Sequence, residues 1–233
     1  MSIAENVLKI RENMEKAALS CGRDPKEILL CAATKMNDTA AVRQAVAAGV
    51  DVCAENRVQE LVKKLPEGAY EGVPLHFIGR LQTNKVKYLV GTVELIQSVD
   101  RPELLAEINR LALKKNVRQK ILLEVNVAGQ DSKAGFSCRQ AAELAAKMHE
   151  YEGVKLCGLM AIPPISEKIG ANRTFFAKMR QLFIDIDEKK YDNVSMQCLS
   201  MGMSDDYTDA ILEGSTMIRV GTSIFGARNY GEK

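Results

Sequence analysis

Eight short apolar runs, each four to eight residues long, alternate with stretches of helical periodicity along this chain. The runs fall at 28–34, 51–54, 74–78, 94–98, 120–127, 154–161, 196–200 and 216–220. Helical patterns lie between them at about 38–48, 56–65, 83–89, 101–115, 138–149, 171–189 and 205–213. A leading amphipathic helix over 2–20 precedes the first run, with Ser2 as its N-cap and Ile3, Val7, Ile10, Met14 and Ala17 near one face. Eight strand-plus-helix units are what a closed (β/α)8 barrel needs, and 233 residues are enough to build one. No Pro-, Gly- or Ser-rich linker divides the chain, so residues 1–233 read as one domain. The competing doubly wound dinucleotide fold expects a glycine-rich turn after its first strand. Here the first run ends Ala33-Thr34-Lys35-Met36-Asn37, without a glycine.

Apolar residues make up 46% of the chain and charged residues 27%, which supports a large core and argues against disorder. With 32 basic and 30 acidic side chains, net charge gives no case for a nucleic-acid or membrane-surface partner. No stretch approaches the roughly 20 apolar residues of a membrane span. The six cysteines form no Cys-x-x-Cys pair, and four lie within expected strands. They read as reduced, buried thiols of a cytoplasmic protein. Two histidines cannot make a His-rich metal site, so no metal is expected; His76 reads as a packed or hydrogen-bonded wall residue.

The chemistry concentrates at the ends of the runs. Lys35 closes seven strand-like residues that carry no other charge. The last two runs end in Ser200-Met201-Gly202-Met203-Ser204 and Val220-Gly221-Thr222-Ser223. Turns rich in glycine and hydroxyls leave backbone N–H groups open to phosphate, and strand ends seven and eight of a barrel are where such a site forms. Ser200, Gly221 and Thr222 are the candidate phosphate ligands. A phosphate cup opposite a strand-end lysine points to a phosphorylated aldehyde held as a Schiff base. Burial near another cation, such as Arg219, would lower the lysine pKa and make the amine nucleophilic. Strand alternation places Arg219 opposite Ile218 and Val220, Glu124 with Leu122, and Lys35 with Ala33 and Cys31. These charged groups therefore point into a polar barrel mouth, or pair with one another, Arg219 with Glu124 for example. Arg219 set against a pyridine nitrogen would keep that nitrogen unprotonated and weaken the ring as an electron sink.

From Ile28 to Arg228 the chain resembles the pyridoxal 5′-phosphate (PLP) homeostasis proteins, the YggS-like family. The resemblance is carried by Glu55-Asn56-Arg57-Val58-Gln59-Glu60, His76-Phe77-Ile78-Gly79-Arg80-Leu81-Gln82-Thr83-Asn84-Lys85, Glu124-Val125-Asn126, Ser132-Lys133-Ala134-Gly135-Phe136, Gly158-Leu159-Met160-Ala161-Ile162-Pro163-Pro164 and the two C-terminal segments. It implies a monomeric fold-type III PLP-binding barrel related to the N-terminal domain of alanine racemase. It matches Lys35 to the Schiff-base lysine, Asn56 and Ile78 to residues lining the cofactor, and Ser200, Gly221 and Thr222 to the phosphate cup. Arg219 matches the residue facing the ring nitrogen. The sequence departs from the family in having Thr34 where serine is usual, Asn37 where a second basic residue often stands, and Ala54 for a glycine.

The expected function is PLP binding in vitamin B6 homeostasis, with apo-PLP enzymes as candidate recipients and no dedicated catalytic turnover. An amino-acid racemase or decarboxylase is the first alternative; such relatives carry a second β-rich domain, and this chain stops soon after its eighth strand. A Schiff-base aldolase is the second, and it would need a general acid or base at the first two strand ends, where there is no His or Tyr.

Overall fold

The computed structural model describes residues 1–130, 133–164 and 170–226. Ser132 and Arg228, which belong to the family resemblance, lie outside the described residues. Eight parallel strands close into a barrel in sequence order. They are β1 (Leu29–Ala33), β2 (Val52–Glu55), β3 (Leu75–Phe77), β4 (Leu95–Val99), β5 (Gln119–Val125), β6 (Val154–Ala161), β7 (Val194–Ser200) and β8 (Met217–Val220). β8 pairs with β1 in register from Leu29 with Met217 to Ala32 with Val220, which completes the ring. The helices are α1 (Ile3–Ser20), α2 (Thr39–Ala47), α3 (Val58–Lys64), α4 (Pro102–Lys114), α5 (Cys138–Ala146), α6 (Arg173–Glu188), α7 (Tyr207–Leu212) and α8 (Thr222–Phe225). The (β/α)8 barrel with an added N-terminal helix is thus the observed fold.

Local chemistry explains the element ends. Ser2 and Glu5 form a capping box on α1, Ser137 and Gln140 another on α5, and Asp38 caps α2. Pro102 opens α4, where its missing N–H costs nothing. Two expected helices differ. Residues 83–88 form a 3₁₀ helix, and the stretch read as a helix to 149 ends at Ala146, followed by a 3₁₀ turn over 148–150. Residues 222–225, read as a turn, form the short helix α8.

Alternate strand residues face two different cores. Leu30, Ala32, Phe77, Ile96, Ile121 and Leu123 join one cluster with the helices, so they face outward. Cys31, Ala33, Val52, Ala54, Ile78 and Met217, with Leu95, Leu122, Cys157 and Met160, form two clusters made only of strand and strand-end residues, inside the barrel. α1 packs against α2, α7 and α8 across the β8–β1 seam. Asn6 Nδ2 donates to the Ile224 carbonyl at 2.9 Å and Asn13 Nδ2 to the Tyr207 hydroxyl at 3.0 Å.

Candidate functional site

In a parallel barrel every strand delivers its C-terminal end to the same mouth. Lys35 lies two residues beyond β1, Asn56 follows β2, Ile78 follows β3, Ser200 ends β7, Arg219 lies in β8, and Gly221 and Thr222 follow it. The seven sequence-derived site residues therefore share one rim. Two close backbone approaches tighten it. A Cβ on Gly79 would lie 2.0 Å from the Asn56 carbonyl oxygen, so only glycine lets the ends of β2 and β3 meet. A Cβ on Gly221 would lie 3.3 Å from the Ala33 carbonyl oxygen, which sets the start of α8 against the end of β1.

Lys35 is half-buried and sits in a turn. The Asn37 N–H donates to the Thr34 carbonyl at 3.2 Å, and Met36 takes a left-handed φ of 62°. Asn37 Nδ2 donates to the Lys35 carbonyl at 3.0 Å. The asparagine that replaces the family's second basic residue thus fastens the turn that carries the lysine.

Arg219 is 4% exposed and reaches across the barrel interior. Its Nη1 donates to Ser200 Oγ at 2.6 Å and its Nη2 to the Ala161 carbonyl at 2.9 Å. Ser200 Oγ in turn donates to Gln97 Oε1 at 2.7 Å. Gln97 Nε2 lies 3.0 Å from His76 Nδ1, and an amide N–H can only donate, so Nδ1 is the acceptor and His76 is the Nε2–H tautomer. Burial pushes the His76 pKa down to about 4, which keeps the ring neutral. The wall-residue reading of His76 holds. Ser200 Oγ, set between Arg219 and Gln97, thus also helps to hold the guanidinium.

No ion pair joins Arg219 to Glu124 among the described residues. Glu124 instead carries a pKa raised to about 7, by burial first and by Asp100 second, with Arg219 and Arg80 pulling the other way. Burial also lowers the Arg219 pKa, against the raising influence of Cys31 and Glu124. The mouth therefore holds a buried guanidinium and a carboxyl poised near neutrality.

At the β7–β8 side, Gly202 takes a φ of 94° where a Cβ would meet Ala210 Cβ at 2.6 Å, and its carbonyl accepts from the Arg219 N–H at 3.0 Å. Asp206 fixes the same loop, accepting from the Met203 N–H and from Asn172 Nδ2, each at 2.8 Å. The loop brings Ser204 Oγ to 3.4 Å from the Ser223 N–H. The N–H groups of Gly221 and Thr222 have no acceptor among the described residues, and Thr222 is exposed. Unused amides at a helix start suit an anion.

Sequence reading missed the buried cluster behind Lys35. Glu55 is fully buried, and its Oε1 accepts from Thr34 Oγ1 at 2.7 Å, Lys64 Nζ at 2.8 Å and the Tyr70 hydroxyl at 2.9 Å. Glu55 Oε2 and Asn56 Oδ1 are buried without a hydrogen-bond partner among the described residues. The spacing Glu60-x-x-x-Lys64 on one helix was the available signal. Gln97 gave no signal, because an uncharged residue in a strand looks like any other.

These residues fit a phosphorylated pyridine aldehyde. Open amides and hydroxyls face one end, a buried guanidinium lies within the ring of strands, and a lysine stands on the rim. Asn56, just after β2, carries a buried side-chain oxygen with no hydrogen-bond partner among the described residues. Comparison with known proteins agrees. Residues 6–229 match the family model of the alanine racemase N-terminal domain. The chain is 42% identical to the pyridoxal phosphate homeostasis protein of Aquifex aeolicus, over 99% of this chain and all of that one. It is 37% identical to the protein of the same name from Pseudomonas aeruginosa, covering 99% and 97%. Among solved structures, PipY of Synechococcus elongatus with PLP bound is 30% identical, with a TM-score of 0.83 over 97% of this chain and 100% of PipY.

Proposed function

This chain belongs to the pyridoxal phosphate homeostasis protein family, and we propose that it binds PLP in vitamin B6 homeostasis, holding it as a Schiff base on Lys35 without dedicated turnover. The observation that carries this reading is the convergence of Lys35, Arg219 and the open amides of Gly221 and Thr222 on one barrel rim. Bound PLP would supply an aldehyde for an amine to condense with and a pyridine ring to withdraw electrons. Lys35 would present its Nζ, as the neutral amine, to that aldehyde. The Gly221 and Thr222 amides, with the Thr222 and Ser200 hydroxyls, would hold the phosphate, and Ser204 lies beside them. Arg219, kept in place by Ser200 and the Ala161 carbonyl, would face the ring nitrogen. A guanidinium donates hydrogen bonds but does not give up its proton to a pyridine nitrogen, so the ring would stay a modest electron sink. Asn56 and Ile78 line the wall between them.

The reading without turnover is supported by the state of His76, the histidine carried on a strand. His76 is neutral, buried and engaged with Gln97, so it cannot take up an α-proton in the mouth. The protein works as a monomeric, cytoplasmic single barrel, with apo-PLP enzymes as recipients. No helix among the described residues is long and apolar enough to cross a membrane.

The test incubates the PLP-loaded protein with L-alanine, L-serine and L-lysine in D2O and follows α-deuterium incorporation and product chirality. Slow exchange without racemised or decarboxylated product is expected. Turnover within the enzymatic range of about 1–10³ s⁻¹ would replace the carrier reading with the racemase or decarboxylase alternative.

A further inference from the structure

The peptide groups on both sides of Lys35 are gripped from α3. Lys64 Nζ donates to the Thr34 carbonyl at 3.0 Å, just before Lys35. The Met36 N–H, just after it, donates to Glu60 Oε2 at 2.6 Å. The two gripping side chains are themselves joined, Lys64 Nζ to Glu60 Oε2 at 3.4 Å, and Lys64 is anchored on Glu55 at 2.8 Å. Lys64 and Glu55 have side-chain exposures of 7% and 0%. A surface lysine would not be driven into such a place by charge pairing alone, since desolvation offsets most of the attraction. The arrangement also holds Met36 in a left-handed conformation that a non-glycine residue adopts only at a cost.

We propose that Glu60 and Lys64 are positioning residues that clamp the Thr34–Met36 turn and so fix the direction from which Lys35 approaches a bound aldehyde. They touch the backbone around Lys35, not the ligand. The clamp rests on the reading of Lys35 as the covalent anchor. Its effect belongs to the rate of covalent capture, because misplacing a nucleophile by about 1 Å costs up to about a hundredfold in rate. Non-covalent binding of the ring and phosphate, which lies on the β7–β8 side, does not depend on it.

Lys64→Met would strand the buried Glu55 carboxylate and threaten the fold, so the decisive pair is Glu60→Ala and Glu60→Gln on the full chain. Glutamine keeps an oxygen that can accept from Met36; alanine does not. Stopped-flow absorbance measures the rate of capture of PLP, and borohydride trapping with peptide mapping assigns it to Lys35. Pyridoxine phosphate, which has an alcohol where PLP has the aldehyde, measures non-covalent affinity. Glu60→Ala is expected to slow capture by about tenfold or more, with pyridoxine phosphate affinity and melting temperature close to wild type, and Glu60→Gln to restore the rate. Capture by Glu60→Ala at the wild-type rate, or an equal loss of pyridoxine phosphate binding, would overturn the clamp. Absence of a Lys35 adduct in the wild type would instead overturn the anchor itself.

Discussion

Ser200 Oγ and Arg219 Nη1 stand 2.6 Å apart inside the barrel, and the serine proton goes on to Gln97. Ser200→Ala would leave the guanidinium and the Gln97 oxygen each short of a partner in a buried setting. A stability loss of about 1–3 kcal/mol follows. If Ser200 acts by holding Arg219, affinity for PLP and for unphosphorylated pyridoxal should fall together. Isothermal titration with both ligands reads this out; a loss confined to PLP would leave Ser200 to the phosphate site alone.

Thr222 gives the complementary case. Its exposed hydroxyl starts α8, beside amides with no acceptor among the described residues. Thr222→Ala removes a donor to a charged oxygen, worth about 1.5–3 kcal/mol. PLP affinity should drop by about tenfold or more, while pyridoxal affinity stays nearly constant. Equal losses for the two ligands would contradict the phosphate assignment.

Much of this arrangement was legible in the sequence. Strands stood out because both faces of a barrel strand are apolar, and the lysine and glycine turns stood out because they break those runs. What stayed hidden depends on side chains meeting across the fold. Lys64 looks like any helix lysine until α3 folds back over Glu55 and Thr34. The contacts of Ser200 with Arg219 and Gln97 show only once β4, β7 and β8 meet inside the barrel. The helix α8 was hidden because four residues are too few to show a period.

Glu124 and His76 should shape the pH dependence of stability in opposite directions. Glu124 has a folded pKa raised to about 7, so its contribution is full below about 4.5 and is lost as pH rises through 7. His76 has a folded pKa lowered to about 4, so its contribution is full above about 6.5 and is lost as pH falls through 4. Each shift corresponds to about 3 kcal/mol, and over much of pH 4.5–6.5 they offset. Glu124→Gln should expose the His76 slope, with ligand-free stability falling more steeply than wild type as pH drops from 6.5 toward 4.5. Urea titrations across that range check it, and parallel wild-type and variant curves would refute the Glu124 assignment.

Gly79→Ala should damage the site through the backbone. The added carbon would lie 2.0 Å from the Asn56 carbonyl oxygen, with no flexible side chain to yield. Separating the ends of β2 and β3 should cost at least about 1–3 kcal/mol. Chemical denaturation measures it, and a variant as stable as wild type would show that this approach is not needed.

The most direct test of the account is to reduce the PLP-loaded protein with borohydride and map the pyridoxyl group by peptide mass spectrometry, alongside Lys35→Ala. The expected result is a single label on Lys35 that disappears in the variant while its fold is retained. A label on another lysine, or an undiminished label in Lys35→Ala, would contradict the claim that Lys35 is the covalent anchor.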